Sequence, residues 1–174
     1  VPLGSLNTAD DAAAATGPTK VPKRPFGRTG VDVSILSLGG VLRSSDQMVF
    51  RQAFDKGVTY WDTADSYGWG KNEKAIGKYF SKYPSHREQI FLVTKAATSD
   101  PEKLTEKLNT SLQRMNTSHV DMYFIHYVSD VNAELTDAVR TWAETAKSQG
   151  KIRLFGFSTH KNMEATMLAA AKLG

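Results

Sequence analysis

Four strand-like segments in this chain end on a polar residue at a near-constant interval. Asp62, Lys95, His126 and Ser158 close the runs VTYWD, IFLVTK, VDMYFIH and IRLFGFS, at spacings of 33, 31 and 32 residues. A strand, a returning helix and a parallel neighbouring strand together take roughly 30 residues. The interval therefore places each polar group at the same end of successive parallel strands. Where strand-helix units wrap into a ring, the reactive groups collect at those C-terminal strand ends. The rhythm points to an enzyme.

The segments between support the same architecture. Gly27-Arg28-Thr29-Gly30 is a turn joining two short extended pieces, and a small hairpin is expected there. Val33 to Leu38 (VSILSL), broken by Gly39-Gly40, is expected as the first barrel strand. Asp46 should cap a helix running to about Lys56 with Val49, Ala53 and Phe54 inward, and Asn72 should cap the next helix, burying Ile76. Asp100-Pro101 combines a cap with proline at the first helical position. Leu104, Leu108, Leu112 and Met115 then form one apolar stripe, as do Leu135, Val139, Trp142 and Ala146. A last helix is expected from about Lys161 to Lys172.

Strict alternation of strand and helix implies a parallel sheet with helices packed on it. The fold class is α/β, of the (β/α)8 TIM-barrel type. It is incomplete, at five of eight units, because 174 residues fall short of the about 250 that a full ring takes. Residues 1–20 read as a cloning remnant (Val1 to Ser5) and a flexible leader, and residues 21–174 as the N-terminal part of the barrel. The native protein is expected to continue past Gly174. Unpaired outer strands are expected to invite self-association.

Composition narrows the function. The net charge of +4 is scattered without a dense basic run, which argues against a nucleic-acid partner. Cysteine is absent, which removes thiolate chemistry and disulfides, and the four histidines show no metal-ligand spacing, so no metal is expected. No apolar run reaches the roughly 18 residues of a membrane helix. A cytoplasmic location is expected, with export left open by the Ala-rich stretch before Lys20. Gly68-Trp69-Gly70 lacks the P-loop frame, and no dinucleotide fingerprint follows the first strand.

The rim residues suggest acid chemistry. A phenol, with a pKa near 10, is a poor proton donor at neutral pH. Tyr67 could serve as general acid if an ammonium lowered that value. Lys95 on the adjacent strand could supply it, with Asp62 neutralising and orienting the lysine. Neutral His126 could donate a hydrogen bond to a substrate carbonyl. The plainer readings are a packing tyrosine, a snorkelling lysine and a satisfied core histidine. Asp65 competes with Asp62 but reads as a turn residue. Trp69, Ala96 and Tyr127 are expected to border the pocket. A Schiff-base aldolase using Lys95 is a rival barrel chemistry.

The runs FGRTGVDVSILSLG (26–39), WDTADSYGWGKNEKAIG (61–77), VTK (93–95), VDMYFIH (120–126) and KIRLFGFS (151–158) resemble the aldo-keto reductase family. The resemblance covers Val21 to Gly174. It implies a barrel that reduces an aldehyde or ketone with hydride from NADPH, or alternatively NADH. It also implies Tyr67 as proton donor, Lys95 and Asp62 as the pair that sets its pKa, and His126 as the group orienting the carbonyl. Gly40, Val41, Ser158 and Thr159 would contact the cofactor. Thr159 departs from the asparagine common there. The family's later strands, which supply most of the pyrophosphate and adenosine contacts, have no counterpart in the chain. A redox-sensing or regulatory module, or an inactive fragment needing its missing half, are the alternatives.

Overall fold

The computed structural model describes residues 20–41 and 46–173. The leader expected before Lys20 lies outside them.

The expected hairpin opens the fold. Strands β1 (Lys23–Pro25) and β2 (Asp32–Ser34) pair antiparallel. The turn between them needs Gly27 and Gly30 at φ +56° and +72°, a region that glycine enters without a Cβ penalty. The VSILSL run is not one strand. Val33 and Ser34 finish the hairpin, and the first sheet strand is only β3 (Ser37–Gly39). Ser34 causes the break: its hydroxyl donates to Leu36 O at 2.6 Å and accepts the Thr59 and Tyr60 N–H groups at 3.0 Å each. Ile35 and Leu36 are left exposed.

Next come α1 (Gln47–Asp55), β4 (Tyr60–Asp62), α2 (Lys71–Lys82) and a 3-10 turn at Pro84–Gln89. They are followed by β5 (Phe91–Ala96), α3 (Pro101–Met115), β6 (Val120–Ile125) and the short α4 (Val131–Glu134). The described chain ends with α5 (Asp137–Ser148), β7 (Ile152–Phe157) and α6 (Met163–Ala171). The sheet order is β3-β4-β5-β6-β7, every pair parallel. Chain order equals spatial order, as in a barrel wall, and the fold is five strands of that wall.

Helix ends and buried faces follow local chemistry, with three departures. Asp46 and Asp100 cap α1 and α3 through side-chain oxygens that accept N–H bonds, as expected. Phe50, not Val49, turns inward from α1, because its ring reaches Trp61 and Tyr79 at 5.1 and 5.9 Å. α2 begins one residue after Gly70, so Asn72 is buried in its first turn rather than capping it. Leu135 ends α4, and α5 starts behind Thr136, whose hydroxyl accepts from the Val139 N–H.

One core lies between sheet and helices, built on Trp61, Tyr79, Leu92, Leu104, Leu108, Tyr123 and Val139. The other sheet face carries Phe91, Val93 and Met122 with Tyr60, Phe124 and Leu154, against Val33, Phe26 and Val31 of the hairpin. Strand residues alternate faces with a period of two. Asp62 follows Tyr60, Lys95 follows Val93, His126 follows Phe124, and Ser158 follows Leu154 at an even offset. All four rim residues therefore point to the hairpin's side of the sheet. No described helix is long and apolar enough to cross a membrane.

Candidate active site

The structure brings Asp62, Tyr67, Lys95 and His126 together. Lys95 Nζ donates to Asp62 Oδ1 at 2.5 Å and to the Thr63 carbonyl at 2.8 Å. The same ammonium stands 5.1 Å from the Tyr67 ring centroid. His126 meets that ring edge-on at 5.8 Å and stacks on Tyr127 at 3.6 Å. Tyr67 reaches this position because its loop is stitched to the strand ends. Asp65 N–H donates to the Lys95 carbonyl, Tyr67 N–H to Ala64 O and Trp69 N–H to Ser66 O. Asp65 itself is buried and paired with Lys107 at 2.9 Å, which leaves Asp62 as the carboxylate on Lys95.

Electrostatics alter one expectation. Burial pulls the Lys95 ammonium below its ordinary range, and Asp62 opposes that pull. The Tyr67 phenol is raised rather than lowered, first by burial, then by the Asp62 carboxylate and by Tyr127. Lys95, paired with Asp62 at 2.5 Å, does not reverse that rise. The phenol therefore keeps its proton at neutral pH.

His126 is pushed down to about 4, by burial first and then by Lys95 and His160. Its imidazole is neutral at physiological pH. Nδ1 is buried and has no hydrogen-bond partner among the described residues. Orphaned buried N–H groups are rarer than under-satisfied acceptors, which favours the tautomer with its proton on Nε2.

This shift has a sign that can be tested. The unfolded histidine titrates at about 6.5, above the folded value. The folded chain resists the proton, so its stability is complete above pH 6.5 and is lost as the pH falls toward 4. Up to about 3 kcal/mol of pH-dependent stability is expected from His126 in that window. Urea midpoints across it should fall more steeply in the parent than in His126→Asn. The comparison isolates this residue from His86 and His119, which burial also lowers.

The remaining candidates divide. Ser158 Oγ accepts the Tyr127 N–H at 3.3 Å and donates to no described residue, so its proton is available to a ligand. Gly40 donates its N–H to Asp62 O at 2.7 Å, and a Cβ there would overlap Asn72 and that carbonyl. It holds the first strand end against the site, with Val41 exposed beside it. The Thr159 hydroxyl donates to Lys161 O at 2.9 Å, within its own turn. Ala96 is fully buried, whereas Trp69 and Tyr127 are exposed at the rim. Sequence reasoning missed Glu73 and Arg114, paired at 3.1 Å in the wall behind the Tyr67 loop. The glutamate was visible only as part of the NEKAIG motif.

The family model described as "Aldo/keto reductase family" matches residues 37–173. The chain is 33% identical over 157 residues to the "Uncharacterized oxidoreductase YrpG" of Bacillus subtilis, covering 76% of this chain and 48% of that protein. It is 31% identical over 156 residues to "Aldo-keto reductase yakc [NADP(+)]" of Schizosaccharomyces pombe, covering 82% and 44%. The fold superposes on the holo form of the aldo-keto reductase AKR11C1 from Bacillus halodurans with a TM-score of 0.71 at 26% identity, covering 80% of this chain and 50% of that one. The chain thus spans about half the length of these relatives.

Proposed function

The chain belongs to the aldo/keto reductase family, and from that membership we propose that it carries the proton-transfer side of a nicotinamide-dependent carbonyl reductase site. The observation behind this reading is the buried Lys95–Asp62 pair beside the Tyr67 ring, with neutral His126 at its edge. NADPH, or NADH, supplies a hydride to the carbonyl carbon when bound.

The chain's residues handle the oxygen. Tyr67 holds a proton at neutral pH and gives it to the oxygen as negative charge develops there. Asp62 keeps the Lys95 ammonium beside the ring, where its charge offsets part of the cost of the phenolate left behind without outweighing burial. His126, with its proton on Nε2, donates a hydrogen bond to the same oxygen and orients it. The free proton of Ser158 suits the carboxamide of a nicotinamide, and Gly40 and Val41 border it. Thr159 contributes less, because its hydroxyl serves its own turn.

Transfer of deuterium from C4-labelled NADPH to a panel of aldehydes and ketones, read by mass spectrometry, tests the reading. Labelled alcohol above the Tyr67→Phe background is expected. An unlabelled panel at millimolar cofactor would overturn it.

Cofactor affinity should be poor in this chain. The residues proposed here contact only the nicotinamide end, and most of the cofactor's polar surface lies elsewhere. Titration with NADPH, followed by tryptophan fluorescence, should show no saturation at micromolar concentrations. Submicromolar binding would contradict that expectation.

A further inference from the structure

Tyr67 sits in a loop that is costly to hold in shape. Gly68, Trp69 and Gly70 follow one another at φ +58°, +58° and +80°. This left-handed turn strains a residue with a Cβ such as Trp69. The tryptophan side chain is 91% exposed, so its own burial does little to offset that strain.

The turn rests on Arg114 of α3. The guanidinium carbon, Nη1 and Nε lie 2.5 to 2.9 Å from where a Cβ on Gly70 would stand, so the side chain covers that glycine. Arg114 Nη1 donates to the Asp65 carbonyl at 3.3 Å, at the loop's start, and to Glu73 Oε2 at 3.1 Å, in the first turn of α2. Glu73 is fully buried, and its Oε1 accepts the Thr94 hydroxyl at 2.8 Å, one residue before Lys95. Arg114 thus touches both ends of the loop and connects, through Glu73, to the strand carrying the lysine. Lys107 meets the same loop at the Asp65 carboxylate alone, from a half-exposed position.

We propose that Arg114 is a positioning residue. Its guanidinium locks the left-handed turn at 68–70 and so keeps the Tyr67 ring beside the Lys95 ammonium and against His126. The functional meaning rests on the proton-donor reading of Tyr67, whereas the holding of the loop does not.

Two variants test this. Arg114→Lys keeps a positive charge facing Glu73 but loses the guanidinium cover on Gly70. The double variant Glu73→Gln with Arg114→Met removes both charges together, so neither is left buried alone. Hydrogen exchange is read at the Asp65, Tyr67 and Trp69 amides, which bond to Lys95 O, Ala64 O and Ser66 O. In both variants these amides should exchange about tenfold faster or more, while those of Leu92 and Tyr123 in the central strands keep their parent rates. The Tyr67 ionisation midpoint, read by ultraviolet difference against Tyr67→Phe, should move down toward that of a free phenol as the ring gains solvent.

Parent-like loop exchange in both variants would overturn the proposal. So would equal acceleration at Leu92 and Tyr123, which would make Arg114 a support of the whole fold. Neither measurement needs turnover, so an unchanged label transfer in Tyr67→Phe would sink the proton-donor reading without touching this one.

Discussion

Tyr67→Phe is expected to slow carbonyl reduction by about 10²- to 10⁴-fold, the range that a positioned general acid contributes. The fold should not change. The substitution keeps the ring that faces Lys95 and His126, and the hydroxyl makes no hydrogen bond to a described residue whose loss would cost stability. The effect should therefore appear in the rate of label transfer at saturating substrate, with the thermal midpoint close to the parent's. The raised phenol sharpens the expectation. A proton held this firmly is released only when charge grows on the carbonyl oxygen beside it, so the benefit falls in the transition state and not in binding. A near-parent rate would hand the proton to another group. His126, neutral and proton-bearing, would be the first to examine.

Much of this arrangement could be read from the residues because it depends on two periodicities. The 31- to 33-residue interval placed the rim residues on successive strands, and the two-residue alternation of a strand put them on one face. What escaped the sequence depended on contacts between distant residues. Ser34 breaks the VSILSL run by bonding to Thr59 and Tyr60, some 25 positions away, and no local propensity signals that. Phe50 outranks Val49 because Trp61 and Tyr79 offer it a ring to pack on. The Tyr67 phenol follows the same rule: its place beside an ammonium is legible in the strand interval, whereas the burial that raises it depends on how the loop packs. Arg114 and Glu73 are 41 positions apart, with nothing near either to announce the other.

The largest stability effect should come from the opposite end of the strands. Asp121→Ala is expected to destabilise the fold by about 3–5 kcal/mol, the usual consequence of removing one partner from a buried ion pair. Asp121 is the second residue of β6 and is 5% exposed. Its Oδ2 accepts the Leu92 N–H at 2.9 Å and Arg87 Nη2 at 3.1 Å, and its Oδ1 accepts Arg153 Nη1 at 3.0 Å. One carboxylate therefore ties together β5, β6, β7 and the 3-10 turn that carries Arg87.

Arg87 cannot escape to water when that carboxylate is lost. Its guanidinium is also held by the Ile90 and His119 carbonyls and the Thr117 hydroxyl. Burial already lowers its affinity for the proton, and Asp121 is the largest opposing influence. Removing Asp121 leaves a buried cation held by dipoles, with Glu88 as the weaker remaining carboxylate influence, and one strand N–H without its acceptor. Arg153→Ala should behave differently. That side chain is 54% exposed, so solvent screens the pair and its loss should cost under about 1 kcal/mol. Urea unfolding of the two variants separates the cases, with the midpoint falling far more for Asp121→Ala. Similar small shifts in both would mean that the carboxylate's connections to three strands add little beyond a surface pair, and that the barrel wall is held by its apolar faces alone.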